Sequence, residues 1–158
     1  GSLRECAAER GMPVLLYEAG EALRFEETAI RAGIRGIFNV MRHIGMLPAR
    51  KQSQLVTPIM ARSTQWVRAG SSGIVNMKAA LGSTVAKGER LATISDPLGD
   101  DEESVKAPFD GIVIGRSKSP LAHEGDALIH LGLFKDVPMA ADVVDRFTSA
   151  HENQPAGA

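Results

Sequence analysis

The segments "VRAGSSGIV" (Val67–Val75) and "VKAPFDGIV" (Val105–Val113) decide the fold of the second part of this chain. They share a valine, an alanine and the triplet Gly-Ile-Val at the same positions. Each is followed by a second glycine and an apolar run, "KGERLATI" from Lys87 and "EGDALIHL" from Glu124. The two copies are offset by 38 residues at Val67 and Val105 and by 37 at Lys87 and Glu124. The pattern therefore predicts two copies of one β unit.

This double unit resembles the biotinyl/lipoyl-like barrel, in which two halves pack as a quasi-symmetric set of short strands. The resemblance predicts an all-β barrel domain over residues 49–134, with Ile74 and Ile112 both directed into one core. Carrier domains of that class have their modified lysine on the hairpin that joins the halves. Here the joining segment is "SDPLGDDEES" (Ser95–Ser104), which contains no lysine, and Lys78 lies inside the first half. The sequence therefore argues against an acyl or biotin carrier.

The first 48 residues have helical and strand-like periodicity instead. They predict a helix at about Leu3–Arg10, a strand at Pro13–Glu18 and a long helix at about Glu26–His43, which is the order of an α/β sheet domain. Gly45 is placed to end the long helix. The predicted fold is thus α+β, with residues 1–48 as the α/β part, 49–134 as the barrel, and 135–158 as a short helix followed by a disordered end. The apolar stripe of the long helix consists of Ile30, Ile34, Ile37, Phe38, Met41 and Ile44.

Composition excludes several classes of function. The chain has 158 residues, 18 of them basic and 19 acidic, so its net charge of −1 gives no bulk attraction to nucleic acid or to an anionic membrane. No apolar stretch is long enough to span a bilayer. Cys6 is the one cysteine, which excludes an internal disulfide and fits a reducing compartment such as the cytoplasm. Its position on one helical face with Leu3 and Ala7 predicts a small buried thiol.

Two sets of residues, the acidic hairpin and the histidines, are candidate metal ligands. The acidic hairpin offers oxygen ligands, but its spacing lacks the pattern of a known calcium loop, and an exposed acidic turn needs no ligand, so a solvated hairpin is favoured over a metal site. The histidines form no H-x-x-E or H-E-x-x-H pair, and His43 at the end of the long helix suits the helix dipole. The sequence therefore predicts no metal site within this chain. The acidic residues are Asp96, Asp100, Asp101, Glu102 and Glu103, and the other histidines are His123, His130 and His151.

Taken together, three motifs in their order resemble the C-terminal half of the succinylglutamate desuccinylase/aspartoacylase family. They are "YEAGEALRFEE" from Tyr17, "GIFNVMRHIGML" from Gly36 and "APFDGIVIGRSKSPLAHEGDALIHL" from Ala107. The likeness covers about Pro13 to Leu131. It implies a zinc-carboxypeptidase-like sheet domain in the complete protein and hydrolysis of the amide bond of an N-acyl amino acid by zinc-activated water.

The resemblance also implies a role for one residue. The family's E-x-G motif, whose glutamate handles the proton, matches Glu18-Ala19-Gly20. The family's zinc ligands and its carboxylate-binding arginine belong to the half that this chain lacks, so the resemblance implies an inactive part of a longer enzyme. Zinc is expected in that longer protein, the expected partner is a small N-acyl amino acid, and a homo-oligomer is compatible with both.

Residue chemistry alone leaves Glu18 open to two other interpretations, a surface residue or a partner of the helix dipole. A second class of function also stays open, namely a non-catalytic lipoyl-like module for binding or assembly. An H-x-x-E motif upstream in the gene would favour the hydrolase.

Overall fold

The computed structural model describes residues 1–50, 57–99 and 101–152. The chain forms two compact units. One consists of Gly1–Ser53 with Thr148–Ala158, here called the helical unit, and the other of Gln54–Phe147, here called the β unit. None of the described helices is long and apolar enough to cross a membrane.

The helical unit begins with α1, Leu3–Glu9. Ser2 caps this helix, because its hydroxyl accepts the Glu5 N–H at 3.1 Å while the Glu5 carboxylate accepts the Ser2 N–H at 3.3 Å. Cys6 is exposed and its sulfur is contacted by the Arg10 guanidinium. The predicted burial of this thiol is wrong, because α1 has no buried face at all.

The second helix of this unit, α2, spans Glu27–His43. It ends where predicted: Gly45 has a φ of +77° and its N–H bonds to the Arg42 carbonyl at 3.2 Å. The Met46 N–H bonds to the Met41 carbonyl at 2.8 Å. Together these bonds satisfy two carbonyls of the last turn, and glycine is favoured because the position requires a left-handed backbone.

The strand predicted at Pro13–Glu18 is absent. The segment has no regular structure, and its apolar side chains are exposed, with Leu15 at 83% and Leu16 at 61% of their full surface. A strand needs a neighbour to hydrogen-bond, and no strand lies among the described residues of the helical unit. The prediction of an α/β helix-strand-helix arrangement is therefore wrong for this chain.

The described residues of the β unit form eight strands. They are β1 Ser63–Arg68, β2 Gly73–Met77, β3 Thr84–Val85, β4 Arg90–Ser95, β5 Glu102–Lys106, β6 Gly111–Arg116, β7 Leu121–Ala122 and β8 Ala127–Leu133. They form two antiparallel four-stranded sheets, with strand orders β1-β8-β6-β3 and β5-β4-β2-β7. One buried core lies between the sheets, since side chains from both belong to the same cluster, among them Leu91, Ile94, Val113, Ile129 and Leu131.

The two predicted repeats make equivalent backbone contacts. Gly88 and Gly125 have φ values of +84° and +86°, and their N–H groups bond to Ala107 and Ala69 carbonyls, both at 2.8 Å. Ala69 and Ala107 are 4% and 3% exposed. Each copy of the repeat thus closes its turn on the alanine of the other copy, which explains why the sequence repeats both positions.

The glycines that open the two Gly-Ile-Val triplets also have equivalent surroundings. A Cβ atom on Gly73 would lie 2.4 Å from the Ser95 carbonyl oxygen, and one on Gly111 would lie 2.5 Å from the Gly132 carbonyl oxygen. Both distances are far below van der Waals contact. Glycine is required at both positions because two backbones approach each other closely there.

The prediction of an all-β biotinyl/lipoyl-like barrel is wrong, because the described strands form two sheets and no closed barrel. No pair of strands among the described residues joins the two sheets by a ladder, so β1 and β3 end one sheet while β5 and β7 end the other. Val75 and Val113, rather than both isoleucines, are the equivalent residues of the core. Neither isoleucine belongs to that core cluster, because successive side chains of a strand point to opposite faces: Ile74 is 42% exposed, and Ile112 is buried outside the cluster.

The last helix, α3, spans Val137–Glu152. Within the β unit, its Val144 lies close to the turn at Gly82, where an added Cβ would be 3.3 Å from Val144 Cγ1. The predicted disordered end falls mainly on residues 153–158, which lie outside the described residues. The predicted domain limits of 1–48, 49–134 and 135–158 stay a prediction.

Candidate functional site

The segment before Glu18 is fastened to α2 by Tyr17. The Tyr17 hydroxyl donates a hydrogen bond to the Ala29 carbonyl at 2.8 Å. The Tyr17 ring also lies against Gly33, where an added Cβ would be 3.0 Å from Cε1 of the ring. Because α2 has a glycine at this position, the ring can approach the helix backbone. The anchor fixes the residue immediately before the proposed catalytic carboxylate.

Glu18 itself is exposed. It forms no hydrogen bond or ion pair within the part of the chain that the structure describes. After it, Ala19 and Gly20 are small, and Gly20 has a φ of +86°, a left-handed conformation that glycine adopts without strain. The local structure therefore presents a carboxylate to solvent beside two residues that leave space for a ligand.

The residues before and after Glu18 in the sequence, Tyr17 and Ala19, line a depression of about 150 Å³. The loop between Gly20 and α2 forms most of it, and this loop contains Leu23 at a φ of +63°, which is uncommon for a residue other than glycine. Backbone strain of this kind is often found at functional sites. The lining residues are Tyr17, Ala19, Gly20, Glu21, Arg24, Phe25, Glu26, Ala29 and Ile30.

The acidic hairpin lines a second depression, of about 480 Å³, in the β unit. Its carboxylates bind neighbouring protein groups: Asp96 accepts the Leu98 N–H and the Asp101 N–H, both at 3.2 Å, and Glu103 accepts the Ser71 hydroxyl at 2.5 Å. Asp100 lies outside the described residues. These hydrogen bonds shape the turn and, as they stand, give no evidence of a ligand.

Three of the histidines have separate local surroundings. His43 is the last residue of α2. The backbone N–H of His123 bonds to the Asp126 carboxylate at 2.8 Å in a turn. His130 stacks on Trp66, with ring centroids 4.4 Å apart and an angle of 10° between the planes. None of the three contributes to a ligand set.

The fourth histidine, His151, lies in the segment 135–158, for which the sequence predicts a short helix and a disordered end, but it is only 7% exposed. Its Nε2 atom lies 3.4 Å from Nη1 of Arg35, and its carbonyl accepts Nη1 of Arg31 at 3.3 Å. Arg35 Nη2 also donates to the Ala150 carbonyl at 3.3 Å. Two guanidinium groups of α2 thus satisfy carbonyls near the end of α3, a favourable arrangement for the helix dipole.

The described residues of this chain do not fit a zinc ion. Over residues 1–50, 57–99 and 101–152, no group of three or more His, Cys, Asp or Glu side chains is arranged to hold a metal. A catalytic zinc site normally needs three protein ligands. Glu18 is therefore a candidate for proton transfer and not a member of a ligand set here.

Comparison with solved structures gives strong matches. The product-bound ectoine utilization protein EutE (DoeB) from Ruegeria pomeroyi has a TM-score of 0.68 at 24% identity, and the match covers 84% of this chain and 42% of that one. A succinylglutamate desuccinylase/aspartoacylase from Rhodobacter sphaeroides has a TM-score of 0.66 at 25% identity, covering 84% and 43%. A succinylglutamate desuccinylase from Silicibacter sp. TM1040 has a TM-score of 0.68 at 19% identity, covering 85% and 42%.

No protein-family model matches the chain, and no curated protein matches it significantly. The chain spans less than half the length of the solved structures it matches. In structure, this chain therefore resembles proteins of the succinylglutamate desuccinylase/aspartoacylase family, over a share of their length consistent with a C-terminal half, as its motifs predicted.

Proposed function

We propose that this chain is the C-terminal part of a hydrolase that removes the acyl group from an N-acyl amino acid. The observation that carries the proposal is the match over 84% of the chain to a family protein at 25% identity, with Glu18 of the E-x-G motif exposed beside a depression. The proposed substrate is a small molecule, and the proposed location is the cytoplasm.

Glu18 is the proposed general base. A carboxylate at this place would accept a proton from the attacking water and deliver it to the nitrogen of the departing amino acid. Ala19 and Gly20 leave room for the amide beside it, and Tyr17 fastens the preceding residue to α2 through its 2.8 Å hydrogen bond. Zinc belongs to the proposal only for the full-length protein, because the described residues of this chain do not provide a ligand set.

The exposed apolar residues of the helical unit support the same proposal. Leu15, Leu16, Ile37 and Ile44 are each at least 60% exposed, although they lie on an apolar segment and on the apolar stripe of α2. Exposed apolar side chains that recur along one segment and one helix stripe favour contact with another part of a protein. The remaining part of a longer hydrolase would cover it.

The test is an activity assay of the full-length gene product. N-succinylglutamate, N-acetylaspartate and N-acetylated diamino acids are supplied separately, with zinc present, and the released amino acid is quantified. The proposal predicts turnover of at least one of them by the full-length protein and none by residues 1–158 alone. Turnover by residues 1–158 alone, or no turnover by a folded, zinc-loaded full-length protein, would contradict it.

The second candidate is a non-catalytic module for binding or assembly. It is favoured by the separate core of the β unit, which depends on no residue of the proposed site. A full-length protein without deacylase activity, whose β unit retains a defined partner, would support this alternative.

A further inference from the structure

The loop that follows Glu18 brings one guanidinium group to the 150 Å³ depression, that of Arg24. Its side chain is 76% exposed, and its Nε lies 3.8 Å from Oε2 of Glu21, near the outer limit for an ion pair. Arg24 makes no other hydrogen bond or ion pair within the described part of the chain. Its two terminal nitrogens, Nη1 and Nη2, are therefore available to a ligand.

The two carboxylates that line the depression, unlike Arg24, make further interactions within the protein. Glu21 is 25% exposed and pairs with Arg24, and both Glu21 and Glu26 have further interactions. An exposed ion pair at such a distance contributes little stability, so a ligand that offers two oxygens in better geometry can replace Glu21 at Arg24. Among the charged residues that line the depression, Arg24 is thus the one suited to bind a ligand.

The residues on either side of the proposed base, Tyr17 and Ala19, line the same depression as this arginine. Gly20 and Leu23, with φ values of +86° and +63°, turn the chain between Glu18 and Arg24. Ala19, Gly20 and Arg24 all line the same depression. A substrate that extends from Glu18 over Ala19 and Gly20 into the depression would bring a charged group to Arg24.

We propose that Arg24 binds a carboxylate of the substrate and thereby determines which N-acyl amino acids are accepted. The inference rests on the proposed deacylase function. A planar guanidinium with two available terminal nitrogens matches the two oxygens of a carboxylate, and this match gives orientation as well as affinity. The carboxylate is either the α-carboxylate of the amino acid or one carried by its side chain or by the acyl group.

The test measures binding without turnover, in the full-length gene product carrying Glu18→Gln. Calorimetry follows binding of N-succinylglutamate and of analogues in which one carboxylate at a time is replaced by a carboxamide. Arg24→Gln is expected to weaken binding of the parent compound by roughly 10- to 100-fold, the usual effect of losing a charged hydrogen bond. It is expected to change binding less than about 2-fold for the one analogue that lacks the carboxylate bound by Arg24.

Arg42→Gln is the matched control, because Arg42 is an arginine of α2 whose guanidinium lies 5.6 Å from the Phe38 ring centroid and outside the depression. It should leave all affinities unchanged, and circular dichroism should show that each variant is folded. An equal loss for every compound after Arg24→Gln, or no loss for any, would overturn the proposal.

The two proposals fail separately. If the protein with Glu18 intact hydrolyses none of these compounds, yet Arg24→Gln selectively weakens binding of a carboxylate, the deacylase proposal is wrong and the assignment of Arg24 stands. If turnover occurs and Arg24→Gln changes neither KM nor affinity, the deacylase proposal stands and the assignment of Arg24 is wrong.

Discussion

The β unit and the helical unit differ in what their apolar side chains contact. In the β unit, Leu91, Ile129 and Leu131 are fully buried between two sheets. In the helical unit, none of residues 1–50 is buried, and Leu15 and Leu23 are 83% and 105% exposed. The β unit therefore has a core of its own, whereas the described helical unit has an apolar surface without one. The β unit thus contains the buried core that stabilises it, and the helical unit contains the proposed catalytic residue.

Among the substitutions that test this comparison, removal of a core side chain should change the free energy of unfolding most. Ile129→Ala should lower the free energy of unfolding of the β unit by about 2 to 5 kcal/mol, because it removes a fully buried side chain and leaves a cavity. Urea unfolding followed by fluorescence of Trp66, the one tryptophan of the chain, reports on this unit.

Leu15→Ala, which shortens an exposed side chain of the helical unit, is the matched control and should change the same transition by less than about 0.5 kcal/mol. Equal effects of the two substitutions would show that the units do not differ as described.

A smaller effect is expected at the glycines of the repeat. Gly73→Ala should destabilise the β unit by about 1 to 3 kcal/mol, since its Cβ would lie 2.4 Å from the Ser95 carbonyl oxygen. Gly36→Ala in α2 should instead stabilise the helix by about 0.5 to 1 kcal/mol, because its Cβ would meet nothing within 4 Å. Thermal unfolding followed by Trp66 fluorescence and by helical circular dichroism measures both, and changes of the same sign would contradict the account.

The smallest effect concerns the anchor of the site. Tyr17→Phe removes the hydrogen bond to the Ala29 carbonyl and should cost about 0.5 to 1 kcal/mol of local stability. Hydrogen exchange at the amides of residues 16–20 should then be faster, while exchange in β4 and β8 should be unchanged. Unaltered exchange near Glu18 would show that the hydroxyl does not hold this segment in place.

Much of the fold was predictable where the signal is local. The Gly-Ile-Val triplets marked β2 and β6, Gly45 marked the end of α2, and both early helices were found within one residue of their observed limits. The barrel prediction was wrong because closure of a barrel depends on hydrogen bonds between distant strands, which a repeat does not specify. The prediction of a strand at Pro13–Glu18 was wrong for a similar reason. Its apolar pattern is present, but the described residues of the helical unit include no second strand with which it could pair.

The candidate site was predictable only through the resemblance. Nothing in the composition distinguishes Glu18 from Glu21 or Glu27, and its role stays a proposal. Arg24 lies within the motif that begins at Tyr17, but the resemblance assigns it no role, and its availability to a ligand emerges only when its neighbours are known. The one feature of the sequence that points to Arg24 is its position in the same short loop as Glu18. The burial of His151 was not predicted, because its side chain contacts Arg35, which lies more than a hundred residues earlier in the chain.

The most direct test of the central claim is the turnover number of the full-length gene product with Glu18→Gln. This change keeps the shape of the side chain and removes the base, so kcat should fall by about 10²- to 10⁴-fold, equivalent to roughly 3 to 5 kcal/mol, with little change in KM or zinc content. The control Glu27→Gln, at a residue that pairs with Arg31 at 3.5 Å in the first turn of α2, should keep near-normal kcat. Near-normal kcat in Glu18→Gln, or a comparable loss in Glu27→Gln, would contradict the assignment of Glu18 as the catalytic base.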